Sequence, residues 1–264
     1  MNITHKPHKN SSTNFFSELP FNSLYNEYSS DDTIITPVNC VRDLGVLINN
    51  ELDWGDHISK ICRVGKQLSG WILNVFFSRE KTVMLTLFNS LIRSRLEYCC
   101  QLWSPFKISQ INTIEQIQRK FTSKINSVKD LNYWERLSSL QIMSLQRRRE
   151  KLIILYVFKL KNNLVPNDIG LQFLENSRRS RLQAIVKPMP KIKGRLLTVY
   201  ENSFTIQSAK LWNKLPYEIA VIESFNVFKT RLDEFLKLYP DRPPVSGYYN
   251  IHSNSLLDYT TVAI

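Results

Sequence analysis

The chain has 264 residues, 43% of them hydrophobic and only 7 of them glycine, which is enough apolar material for a substantial core and argues against a Gly-rich all-β design. Its formal net charge of +12 points to a polyanionic partner, nucleic acid before an anionic membrane. No run approaches the ~20 apolar residues that a membrane span needs, and the head from Met1 to Ser12 lacks the apolar stretch of a secretory signal.

The first 33 residues are polar and read mostly as loop. Thr33-Ile34-Ile35-Thr36 is a short β-prone run closed by Pro37. Val41 to Ile48 reads as a buried strand around Gly45, and the two runs are expected to pair as a hairpin. From Trp54 the apolar period becomes helical. Asp53 or Asp56 is placed to cap a first helix with its apolar face at Ile58, Ile61, Leu68, Ile72 and Val75. A second helix starts near Ser78. Its stripe is Leu85, Phe88, Ile92, Leu96, Cys99 and Trp103, and Pro105 ends it. A third carries Ile111, Ile114, Ile117, Phe121 and Ile125, with Arg119, Lys120 and Lys124 opposite. Three amphipathic helices with short connections predict a small bundle.

A fourth helical pattern runs from Tyr133 to Lys161. It includes the charge run Gln146 to Lys151 and a segment, Leu152 to Phe158, that is apolar all round and so belongs inside protein. Arg178 to Arg195 holds seven basic residues and no acid; a solvated linker and a phosphate-contacting arm weigh equally there. Ser203 to Leu215 suits a strand or short helix. Ser224 to Leu238 is an amphipathic helix with Phe225, Phe228, Leu232, Phe235 and Leu236 on one side. The tail from Pro240 reads as mobile.

Self-sufficient chemistry is not evident. Asp31-Asp32 has one residue too many after Tyr28 for a polymerase metal pair, and loop acids are the better reading. The four histidines form no credible triad, and no Gly-rich phosphate loop occurs. Cys40, Cys62, Cys99 and Cys100 lack metal-ligand spacing and read as reduced packing residues. His57 and Cys62, five apart on one helix, point about 140° apart. The basic residues are the better lead. Arg63, Lys66, Arg79, Lys81, Arg93, Arg95, Arg119, Lys120 and Lys124 recur through the helical section, and each phosphate they neutralise releases counterions. Of the five tryptophans, four are expected in the core.

An ordered series of blocks resembles non-LTR (LINE-like, jockey-type) retrotransposon reverse transcriptases. Val41-Arg42-Asp43-Leu44-Gly45-Val46 is similar to their primer grip. Gly70-Trp71-Ile72-Leu73, Ser90-Leu91-Ile92-Arg93-Ser94 and Leu96 through Pro105 follow. Then come Gln118 through Ile125, Leu131 through Leu137, Ser144 through Glu150, Asn213-Lys214-Leu215-Pro216 and Pro240 through Pro243. The resemblance spans roughly Val41 to Asp258. It implies the C-terminal part of an RNA-directed DNA polymerase, mainly α, in four stretches. These are a palm remnant with the primer-grip hairpin (1–53), a helical thumb-like bundle (54–128), a post-thumb helical and basic α+β region (129–239) and a flexible tail (240–264).

The implied partner is RNA, DNA or an RNA–DNA hybrid, alongside the parent's absent palm and fingers, with no membrane. The implied contacts are Leu44, Gly45 and Val46 in the primer grip. Arg63, Lys66, Arg79, Arg93, Arg119, Lys120, Lys124, Arg147 and Arg148 would meet the backbone. No catalytic residue and no cofactor is assigned to this chain; the parent's Mg2+ would be held by aspartates outside it. Two departures stand out: Asn74 and Phe77 occupy positions where related sequences often carry basic residues. The competing expectation is a structural remnant or a basic protein-interaction module without nucleic-acid activity.

Overall fold

In the computed structural model the chain is mainly helical, with a short N-terminal hairpin and a few small strands. The structure describes residues 29–30, 33–34, 38–176, 181–185, 193–242 and 254–258. Asp31-Asp32, His5, His8, His252, Arg178, Arg179, Lys187 and Lys191 lie outside these. The chain divides into two units, Met1–Asp53 and Trp54–Ile264.

In the first unit, β1 (Ser29–Ser30) pairs with β2 (Thr33–Ile34), and β3 (Cys40–Asp43) pairs antiparallel with β4 (Val46–Asn49). This corrects the expected pairing. Thr33–Ile34 takes its partner from just upstream, and the Val41–Ile48 run folds back on itself. The cause is local. Leu44 (φ 43°) and Gly45 (φ 93°) are both left-handed, as a two-residue hairpin turn requires, and Asp43 sits opposite Val46. The strand is not buried throughout: Val46 is enclosed, while Val41 and Leu44 face solvent.

The second unit opens with α1 (Gly55–Val75), entered from Trp54 as the N-cap residue, with Asp56 in its first turn. The expected second helix is interrupted. It comprises α2 (Lys81–Leu87), a π-helical turn (Phe88–Arg93), α3 (Ser94–Glu97) and α4 (Cys100–Trp103). The wide turn and the left-handed Cys99 (φ 51°) advance the register by one. Cys100, rather than Cys99, therefore joins Phe88, Ile92, Leu96 and Trp103 in the core.

Next comes α5 (Ile108–Thr122), which buries Ile111, Ile114, Ile117 and Phe121. It crosses α1 at Gly65, where a Cβ would lie 3.1 Å from Ile117 Cδ1. Even an alanine there would require the Ile117 side chain to give by a few tenths of an ångström.

The fourth helical pattern is two helices. Gln141 (φ 56°) ends α6 (Tyr133–Leu140), and Ser144 caps α7 (Leu145–Lys161) by accepting the Arg147 N–H. Asn132 opens α6 with a reciprocal capping box closed by Glu135. The apolar segment of α7 is enclosed as its pattern demands. Ile153, Ile154, Val157 and Phe158 enter a core shared with α9 (Phe204–Trp212) and α11 (Phe225–Lys237). Trp212 and Phe158 both stack on Phe228 there. The remaining elements are the antiparallel pair β5 (Gln172–Asn176) and β6 (Arg181–Ile185), α8 (Arg195–Glu201) and α10 (Tyr217–Ala220).

The described part of the tail is not loose. Asp241 accepts the Ser144 N–H at 2.7 Å and the Ser144 hydroxyl at 2.6 Å, so it caps α7 from 97 residues away. Asn254 Oδ1 accepts the Arg242 N–H, and Gln146 Oε1 accepts the Asn254 N–H, both at 2.8 Å. Leu256 is buried in the shared core. A polar, Pro-rich composition signals disorder on average. It does not reveal that Asp241 and Asn254 match the open end of a particular helix.

Candidate nucleic-acid interface

The twelve residues singled out for nucleic-acid contact fall into distinct environments. In the first unit Leu44 is 82% exposed at the hairpin tip beside Gly45, and Val46 is buried. In the second unit Arg63, Lys66, Lys120 and Lys124 are exposed. The other five cations are engaged within the protein. Arg79 is half-buried, and its guanidinium donates to the carbonyls of Leu73 (2.7 Å) and Phe76, the open C-terminal end of α1. Arg93 lies 4.0 Å from Glu97. Arg148 holds the same carboxylate with both Nε and Nη2, the latter at 2.9 Å. Arg119 lies over the Tyr133 ring, its guanidinium carbon 4.5 Å from the centroid.

Arg147 is the clearest departure. It is 1% exposed, and its Nε donates to the Asn254 carbonyl at 3.1 Å. A run of three arginines suggests a solvated face. The tail closes over that face and takes Arg147 inside. Arg149, which the charge run did not single out, is equally enclosed. Among the described residues, none accepts a hydrogen bond from any of its three guanidinium nitrogens. Burial pulls its pKa down while Glu115, Cys100 and the nearby glutamates oppose that shift. Glu115 receives the Leu145 N–H and the Tyr133 hydroxyl, and burial pushes its carboxyl up. These groups join helices from inside; they have no surface from which to meet a phosphate.

The exposed cations do not share one face. At about 100° per residue, Ser59, Arg63, Lys66, Gln67, Gly70 and Asn74 line one stripe of α1, and every one of them is exposed. Gly65, which meets α5, lies nearly opposite that stripe. The stripe therefore points away from α5, and neither Lys120 on α5 nor Lys124 just beyond its end belongs to it. The exposed cations of α1 thus lie on a single outward-facing track.

That track has two further properties. Asp56, exposed in the first turn, lies on the same side of the helix; beyond it the track carries no acid from Ser59 to Asn74. At Gly70 no atom lies within 4 Å of where a Cβ would be, so the backbone is open to close approach. A glycine in mid-helix costs about 1 kcal/mol relative to alanine. Packing inside this unit does not account for it.

The other chemically suggestive groups are structural. His57 is buried edge-on against Trp103, ring centroids 5.1 Å apart, and burial, aided by Lys60, lowers its pKa. Burial pushes the thiols of Cys62 and Cys100 up to about 11 and about 12. No cluster of three metal-ligating side chains occurs among the described residues. Trp103 and Trp212 are core residues, Trp54 and Trp134 are half-buried and Trp71 is exposed, so fewer tryptophans are interior than helical spacing suggests. No family model, curated protein or solved structure matches this chain.

Proposed function

We propose that the chain is the duplex-holding C-terminal part of a non-LTR-type RNA-directed DNA polymerase, with its chemistry in portions outside this sequence. The observation that carries this reading is the outer track of α1 from Ser59 to Asn74, free of acids beyond Asp56, with Arg63 and Lys66 displayed beside the open backbone at Gly70. From Arg63 to Asn74 it extends about 16 Å, several phosphate spacings along one strand. Two guanidinium or ammonium groups at one end anchor the backbone. The small polar surface beyond them lets the sugar edge lie close to the helix. Such contacts position a template–primer without reading its sequence. The reading assigns Mg2+ and its aspartates to the parent polymerase and gives this chain no catalytic residue.

The competing reading, a helical scaffold that binds no nucleic acid, draws on the five arginines already occupied within the protein. Filter binding of the full chain to a 20-base-pair RNA–DNA hybrid at two salt concentrations separates the two. The duplex-holding reading expects binding that weakens steeply with salt. The doubly substituted Arg63→Gln, Lys66→Gln protein should lose affinity and flatten the salt dependence by about two counterion equivalents. Absence of binding at low salt, or an unchanged salt slope in that variant, removes it.

A further inference from the structure

The α1 track ends in aromatic side chains rather than in another cation. Phe77 is 92% exposed, Trp71 is 51% exposed, and Val75 beside them is half in solvent. Phe76 packs edge-on against Trp71 with ring centroids 6.1 Å apart, which holds the indole in place. The connector bearing Phe77 is also held. Arg79 reaches back to the carbonyls of Leu73, Phe76 and Ser78, so the backbone on both sides of Phe77 is tied to the end of α1. A large apolar ring displayed this fully on a fixed backbone gains nothing for folding. It is preorganised for an external surface.

Resting on the duplex-holding reading, we propose that Trp71 and Phe77 form a stacking platform for unpaired bases. The α1 track then engages the junction where a duplex opens into single strand. Three features favour nucleobases as the occupant. The platform continues a cationic track, free of acids beyond Asp56, so a chain lying on Arg63 and Lys66 and following α1 arrives at these rings. Trp71 borders the stripe one turn before its end, beside Asn74, and Phe77 lies just past the end of the helix. Stacking accepts any base, which suits a surface that shows no array of donors and acceptors for reading base edges.

The test compares the full chain binding a blunt 16-base-pair RNA–DNA hybrid with the same hybrid bearing a five-nucleotide single-stranded extension. The extension carries 2-aminopurine at its first unpaired position. The expected result is a preference for the extended substrate of about tenfold, within the range of one stacked base. Fluorescence quenching of the 2-aminopurine should accompany it. Phe77→Ala and Trp71→Ala should each reduce that preference and the quenching, while leaving blunt-hybrid affinity and its salt slope as in the unsubstituted protein. Both side chains are exposed, so neither variant should disturb folding. Equal affinity for the two substrates, or a preference that survives the double Trp71→Ala, Phe77→Ala substitution, overturns the proposal. So does concentration-dependent self-association in light scattering that Phe77→Ala abolishes, because the rings would then serve a second copy of the chain. The two ideas fail separately: an unchanged salt slope in the Arg63→Gln, Lys66→Gln protein sinks the duplex-holding reading, whereas loss of the overhang preference alone sinks the platform.

Discussion

Glu150 gives this protein a stability that should fall with rising pH. The residue lies on the first turns of α7 beneath the returning tail. It is buried, with Oε2 accepting the Leu256 N–H at 2.8 Å and Arg147 Nε 3.8 Å away. Ser255 adds a hydrogen bond, and Asp258 faces it from the tail with like charge. Burial is the largest influence and outweighs Arg147, pushing the carboxyl from 4.5 up to about 7. A raised carboxyl favours the folded form most fully below 4.5, and that contribution disappears as pH rises through 7. A difference of about 2.5 pH units corresponds to about 3 kcal/mol in all. Of that, roughly 2 kcal/mol, a factor of about 20 in the folding equilibrium, falls between pH 5.5 and 7.5. Burial also raises the carboxyls of Glu115 and Asp241, so they add to the same trend.

Urea unfolding at constant ionic strength across pH 5.5–7.5 measures the effect in the unsubstituted protein and in Glu150→Gln. The glutamine keeps an acceptor for the Leu256 N–H and cannot ionise. Its profile should fall by about 2 kcal/mol less over that interval; the residual slope sums Glu115 and Asp241, whose raised carboxyls lower stability as pH rises, and His57, whose lowered pKa raises it. Amide exchange of the tail, corrected for intrinsic rates, should show the same difference at Leu256. If the two proteins have the same slope over the interval, the reasoning fails: Arg147 then keeps Glu150 ionised in the folded state.

Two further substitutions probe separate links. Gly70→Ala should stabilise the protein by about 1 kcal/mol in thermal or urea unfolding, because the site is open and helical; destabilisation would show that the glycine serves folding. Leu256→Ala should cost about 2–3 kcal/mol and raise amide exchange at Asn254–Asp258. A cost below 0.5 kcal/mol would show that the tail is held by its polar contacts alone.

Periodicity alone was sufficient to identify the helices that pack by one continuous stripe. The apolar stripes of α5 and α11 are largely those that the structure buries, because a 3.6-residue repeat leaves a single face to hide, whereas on α1 only Ile58 and Ile72 of the expected stripe are buried, joined by His57, Cys62 and Gly65, and Val75 is exposed. Exposure of Lys120 on α5 and of Lys124 just beyond it followed from the same logic, whereas Arg119, expected beside them, lies on the Tyr133 ring. Where the helix itself changes geometry, periodicity misleads. The π-helical turn and the left-handed Cys99 exchange the roles of Cys99 and Cys100, and Gln141 divides a pattern that looks continuous.

The destination of a charged side chain is a different kind of question. Arg147 and Lys66 both read as surface cations in a basic helix. One is covered by Asn254, more than a hundred residues downstream, and the other is left in water. Local sequence determined which residues are amphipathic and how much positive charge the chain carries, since these depend on neighbours three and four positions away. Only tertiary structure decided which cations remain available to a polyanion, because burial and pairing are settled by groups that meet in space after long loops have closed.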